Sequence, residues 1–332
     1  MKDEIRSSIM AKVIYGCDKV ADSSWLNYAY SLLIIAGADG RVSKEEMNWL
    51  LEDFLAIIEA PPSFKELLLG FDYQKNNLEE LLPEISFDME INYKRVLLYD
   101  AIKMARADDQ YAEEERNAVQ KAAKLLGIPD YMAKTIEGLV STEKSLEEIR
   151  RSIFEFEYDD DDKSKEQTRT SPMLRYVYGL ERADEITQLY YGYALMIIAG
   201  ADGLVSEDER NWYLNRFAKA AKTPIHLIRK IKDYDFSQGN LSEVVSHLSS
   251  DKTINFPRTL LYNAIQMARA DGEYAEEEKK AVKKAAGLLS IPESITSTMD
   301  YLVDTEEKIE KMRKTLFEVK GADHLFLKTA LV

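Results

Sequence analysis

AGADGRVSKEE, running from Ala36 to Glu46, closes one apolar run and opens another. Leu32, Leu33, Ile35 and Ala36 recur at helical spacing, Asp39-Gly40 interrupts them, and Ser43-x-x-Glu46 begins a second segment. In that segment Met47, Leu50, Leu51, Phe54 and Leu55 form an i, i+3, i+4, i+7, i+8 stripe, the signature of an amphipathic helix. The stretch therefore predicts a helix, a tight acidic turn and a second helix. It occurs four times: AGADGLVSEDE ends at Glu209, ARADDQYAEEE at Glu115 and ARADGEYAEEE at Glu278.

Two of the four are related by a long repeat. Asp39-Gly40 returns as Asp202-Gly203, Ala107-Asp108 as Ala270-Asp271 and Ile128-Pro129 as Ile291-Pro292, all at one shift of 163 positions. The register holds without a gap from Met10 against Met173 to Glu155 against Glu318, with roughly two residues in five identical, which identifies a tandem duplication. Within each copy the pattern recurs at half length, Asp39 matching Asp108, Val42 matching Tyr111 and Glu46 matching Glu115.

Further helices are predicted over Ile9 to Val20, Pro62 to Leu69, Leu78 to Leu82, Tyr131 to Val140 and Glu143 to Phe154, and no run shows strand alternation. The expected architecture is all-α: two tandem homologous helical bundles, each with two pseudo-symmetric helix-turn-helix halves. Residues 1–155 form the first domain and 173–318 the second. The acidic and polar stretch 156–172 reads as a solvated linker, and 319–332 is a C-terminal tail beyond the repeat.

Composition sets the broad class. The 332 residues are 45% hydrophobic and 31% charged, long enough for two domains that each bury a core. The longest apolar runs fall well short of the ~20 residues that span a bilayer, and the N-terminus lacks the apolar stretch of a secretory signal. A single cysteine, Cys17, fits a reducing, cytoplasmic setting. The formal charge of −15 argues against a nucleic-acid binder and leaves cations, basic protein partners or solubility as the use of the excess.

Each acidic turn admits two readings. In the first, Gly40 takes the left-handed conformation that ends a helix, Ser43-x-x-Glu46 and Ser206-x-x-Glu209 are capping boxes, and Val42 and Val205 are the accompanying staples. The turns at Asp108 and Asp271 fit this less well, because Ala112 and Ala275 occupy the cap position while Glu115 and Glu278 persist. An aspartate at a helix C-terminus also opposes the dipole, so Asp108 and Asp271 need a partner, for which Arg106 and Arg269 are candidates. In the second reading the carboxylates pool around a hard divalent cation. The spacing resembles the end of an EF-hand loop, yet Ile35 and Gly37 stand where its first ligands belong, so a full EF-hand is excluded. Asp39, Glu46, Asp108 and Glu115 would instead form one quartet and Asp202, Glu209, Asp271 and Glu278 another. Oxygen donors alone select Ca²⁺, Mg²⁺ or Mn²⁺. No organic cofactor is expected.

Catalytic signatures are lacking. His226, His247 and His324 have no counterparts in the first copy, and the chain carries no phosphate-binding loop, nucleophile elbow or Glu-x-x-His pair of a di-iron bundle. Cys17 is matched by Leu180 in the other copy, which suggests a packing position and not a nucleophile. Tyr15, Tyr28, Tyr30, Tyr178, Tyr191, Tyr193, Trp49 and Trp212 suit core packing better than a groove. The candidates are a cation-binding accessory protein and a metal-free scaffold that holds partners on its acidic or Tyr-rich faces.

Ala-Asp-Gly-x-Val-Ser-x-x-Glu, repeated as Arg-Ala-Asp-Asp-x-Tyr-Ala-x-x-Glu, resembles the tellurite-resistance TerB-like fold, which is shared with the N-terminal region of DjlA-type co-chaperones. The resemblance covers both copies. It implies a helical domain of two pseudo-symmetric halves, the eight carboxylates above as divalent-metal ligands, protein partners in a membrane-proximal complex, and a role in chemical stress or phage defence. The chain has no His-Pro-Asp, so J-domain activity is not carried over.

Overall fold

Helix α2, Asp22–Ala36, is the pivot of the first half, because its apolar residues continue almost all the way round: Trp25, Tyr28, Ala29, Leu32, Leu33 and Ile35 are all buried. A helix apolar on every side must be surrounded. The computed structural model describes residues 4–17, 19–107, 113–154, 184–248 and 256–319, with the backbone alone for Ile9, Asp39, Glu114 and Glu115. Its architecture is all-α.

Preceding α2 are α1, Ile9–Tyr15, and two three-residue strands, Ile5–Ser7 and Lys19–Ala21, paired antiparallel with Arg6 opposite Val20. The periodicity had predicted a helix through Val20 and no strand. Gly16, at φ 79°, ends α1 early in a left-handed cap, and strands of three residues are too short to display alternation. Arg6 Nε, 2.7 Å from the buried Asp22 carboxylate, ties this pair to the start of α2.

After the first acidic turn come α3, Lys44–Asn48, a π-helical stretch Trp49–Phe54, and α4, Leu55–Ile57. In a straight α-helix, eight residues rotate a side chain by about 80° away from its start. The wider π turn absorbs one residue, so Glu46, Leu50 and Phe54 all point inward while Met47, Leu51 and Leu55 are half-buried. The stripe predicted from a 3.6-residue period is therefore shifted. The same π stretch recurs at Trp212–Phe217, the same position of the repeat.

Helices α5, Ser63–Leu69, α6, Leu78–Leu81, α7, Tyr93–Ala105, and α8, Glu113–Leu125, surround α2. The second half follows the same order: α10, Glu185–Ala199, central; then α11, Glu207–Asn211, α12, Ala218–Ala220, α13, Ile225–Lys232, α14, Leu241–Ser246, α15, Phe256–Ala268, and α16, Glu276–Leu288. Helices α13 to α16 pack on α10. Each half ends in one helix of 25 residues, α9, Asp130–Phe154, and α17, Glu293–Phe317, where the sequence had suggested two shorter ones in the first half.

Contacts group the chain into two units, residues 1–144 with 308–332, and residues 145–307. The divisions fall inside α9 and α17 at the same repeat position. Leu316 and Phe317, from the end of the chain's last described helix, accordingly belong to the core of the first unit with Phe54, Leu97 and Ile136. Among the described residues no helix is long and apolar enough to cross a membrane.

Candidate acidic-turn site

The capping reading of the first-type turns holds in detail. Ser43 and Ser206 lie in extended conformation, and their Oγ atoms accept the Glu46 and Glu209 N–H groups at 3.1 and 3.2 Å. In return the Ser43 and Ser206 N–H groups donate to Oε2 of Glu46 and Glu209 at 2.7 and 2.6 Å. Gly40, at φ 109°, and Gly203, at φ 105°, occupy the left-handed region that glycine enters without strain. Val205 is buried, as a staple residue requires, whereas Val42 is half-buried.

At the turn into α16 the box is half made. The Ala275 N–H donates to Glu278 Oε2 at 2.7 Å, but alanine has no oxygen to return the bond. Gly272, at φ 88°, makes this turn as Gly203 makes its counterpart. Capping accounts for one oxygen of each glutamate, but it does not require burying the carboxylates.

Buried they are. Glu46 is 5% exposed, Glu209 1% and Glu278 5%. Glu209 and Glu278 lie within electrostatic reach of each other. Burial is the largest influence on Glu209 and Glu278 pushes the same way; against the Ser206 hydrogen bonds they lift the Glu209 acid to about 8. Burial also raises Glu278, and the charges of Asp202 and Asp271 add to it, which places both aspartates within electrostatic reach. Raised in this way, the pair favours holding a proton over carrying two buried negative charges.

The aspartates face outward. Asp202 Oδ1 accepts the Leu204 N–H at 2.9 Å and Asp271 Oδ1 the Glu273 N–H at 2.8 Å, each stabilising its own turn. Arg269 engages Asp304 at 2.8 Å and Glu307 at 3.0 Å in place of Asp271. Arg106 reaches Glu137 at 3.1 Å. Of the first quartet only Glu46 has a described side chain. Asp39 and Glu115 are described by backbone alone, and Asp108 lies outside the described residues.

The donors fit a hard cation in kind, all being carboxylate oxygens, and Glu209 Oε1 is buried without a hydrogen-bond donor facing it. Among the described residues, however, no group of three or more His, Cys, Asp or Glu stands close enough to hold a metal ion. The second-copy turns bring two glutamates together and leave the two aspartates at the rim.

Residues 192–300 match the family model for tellurite resistance protein TerB. The TerB match spans about a third of the chain and contains Asp202, Glu209, Asp271 and Glu278. A solved structure of a tellurite resistance protein from Nostoc punctiforme is 26% identical, covering 47% of this chain and 94% of its own, with a TM-score of 0.39. No curated protein matches.

Two polar features of the core escaped the sequence reading. Tyr28 Oη donates to the buried Asp100 at 2.8 Å in the first half, while Asn263 Nδ2 donates to Tyr191 Oη at 2.6 Å at the equivalent place in the second. Asp100 is pushed up to about 7 by burial, against the hydrogen bond of Tyr28 and the charge of Lys103. Asp100 and Lys103 are replaced together by Asn263 and Gln266, so the charged pair becomes an uncharged one. That joint change was the available signal.

Proposed function

We propose that the chain is a non-enzymatic accessory protein of the TerB kind, serving a response to tellurite or a related chemical stress, and that its paired acidic turns take up a divalent cation. The observation that carries this reading is the Glu209–Glu278 pair: two buried carboxyls that favour holding a proton, with Asp202 and Asp271 within electrostatic reach. A cation that displaces that proton relieves the repulsion that burial creates. Ca²⁺, Mg²⁺ or Mn²⁺ suits donors of this type, with Asp202 and Asp271 turning inward to complete the shell. The tellurite assignment rests on the names of the matched family and of the Nostoc protein.

A second reading is favoured by a specific observation. Oε2 of Glu46, Glu209 and Glu278 already accepts a backbone N–H, so these side chains have a complete role as helix caps. On this reading the chain is a metal-free scaffold for partner proteins. Thermal melts of chelator-stripped protein decide between them. Binding to the native state alone stabilises by ~2.7 kcal/mol at a hundredfold excess over Kd. A rise of that kind with Mn²⁺ or Ca²⁺, absent in E209Q, supports the cation reading; identical melts support the scaffold.

A further inference from the structure

The end of α17 closes the first unit through a repeating set of contacts. Phe317 meets Tyr99 edge to face with ring centres 5.2 Å apart, Arg313 Nη1 lies 2.7 Å from Glu143 Oε1, and Arg95 Nη1 donates to the Leu316 carbonyl at 3.2 Å. The Asn92 N–H donates to the Phe317 carbonyl at 2.7 Å. Within the second unit the ring, ionic and arginine–carbonyl contacts recur at the end of α9. Phe154 meets Tyr262 at 5.1 Å, Arg150 Nε lies 3.2 Å from Glu306, and Arg258 Nη1 donates to the Ile153 carbonyl at 2.9 Å. Tyr99 and Tyr262 donate to Glu143 and Glu306 respectively, which fixes each carboxylate for its arginine. Every one of these residues maps onto its counterpart by the shift of 163.

Each repeat is therefore completed by the helix end of the other copy. We infer that the cleft of Tyr99, Arg95 and Glu143 is a self-recognition surface for a helix end reading Arg-x-x-apolar-Phe, and that the partner it fits is another copy of this chain. The chain meets the requirement internally by reciprocal exchange, as a fused counterpart of a swapped dimer. Cleft and helix end have the same composition in both units, so a second molecule offers the same contacts. The ionic contact supplies the specificity: the Arg313 and Glu143 side chains are 13% and 15% exposed, and an unpaired charge there is costly.

Charge reversal in the full chain tests this. E143R alone and R313E alone each lower the melting temperature by about 10 °C. E143R/R313E restores it to within about 3 °C, whereas E143R/R150E does not. Should E143R alone fail to fold, the two double variants are compared directly, and only E143R/R313E folds. Refolding E143R and R313E chains together then gives a species of twice the single-chain mass by light scattering, in which each reversed residue meets its complement, while either variant alone does not. Rescue of E143R by R150E, or a mixture that stays at single-chain mass, overturns the inference.

Discussion

Glu209 and Glu278, each at the third position of its helix and each accepting a backbone N–H at the turn before it, are buried within electrostatic reach of one another. Two helix starts, brought together by the packing of the second half, create a buried acid pair that neither turn contains by itself.

The pair makes stability depend on pH in a fixed direction. Glu209 titrates near 8 in the folded protein and near 4.5 when unfolded, so between those values the folded state holds a proton that the unfolded state has lost. Stability is then greatest below about 4.5 as far as this group is concerned, falls as pH rises, and levels off above about 8. E209Q keeps an acceptor for the Ser206 N–H without titrating, so its melting temperature varies less across that window, as pH-dependent thermal melts will show.

Asp100 supplies a second, separable slope. Its folded value of about 7 against an unfolded value near 3.8 means stability is lost as pH rises from about 4 to 7, with no further change above. D100N removes this slope but takes away one of the two carboxylates, Asp100 and Glu143, that favour the Lys103 charge. D100N/K103Q reproduces the Asn263 and Gln266 arrangement of the second half and melts above D100N at pH 8.

The half-made capping box can be completed. Ala275 sits at φ −65° and ψ 152°, the conformation of a serine cap, so A275S adds the bond to Glu278 N–H that Ser206 makes to Glu209 N–H. It raises stability by about 1 kcal/mol, and S206A lowers it by about the same amount, measured by chemical denaturation.

Gly203 stands at φ 105° with no atom within 4 Å of where a Cβ would lie, so strain is the whole effect of substitution. G203A costs about 1 kcal/mol and leaves neighbouring packing intact. A loss several times larger would mean that the turn rearranges.

Much of the helical framework was legible because it rests on local rules. The break at Asp39-Gly40, the serine caps and the period of the apolar residues are properties of short stretches, and the shift of 163 multiplied each signal. Positions set by long-range packing were less visible. The π turns at Trp49–Phe54 and Trp212–Phe217 change which residues face the core without changing the residue types that a helical pattern needs. The outward turn of Asp202 and Asp271 depends on their bonds to Leu204 and Glu273, which spacing alone does not specify. The contacts of Phe154 with Tyr262 and of Phe317 with Tyr99 were out of reach, since a duplicated sequence fits either copy equally well.

Calorimetric titration of the chelator-stripped chain with Mn²⁺, Ca²⁺ and Mg²⁺, in native and E209Q forms at pH 7 and pH 8.5, addresses the central claim. Because a cation must displace the proton on Glu209, the account predicts saturable binding that is tighter at pH 8.5, releases a proton at pH 7 and disappears in E209Q. No heat at millimolar cation at either pH, or equal binding by native protein and E209Q, would contradict it.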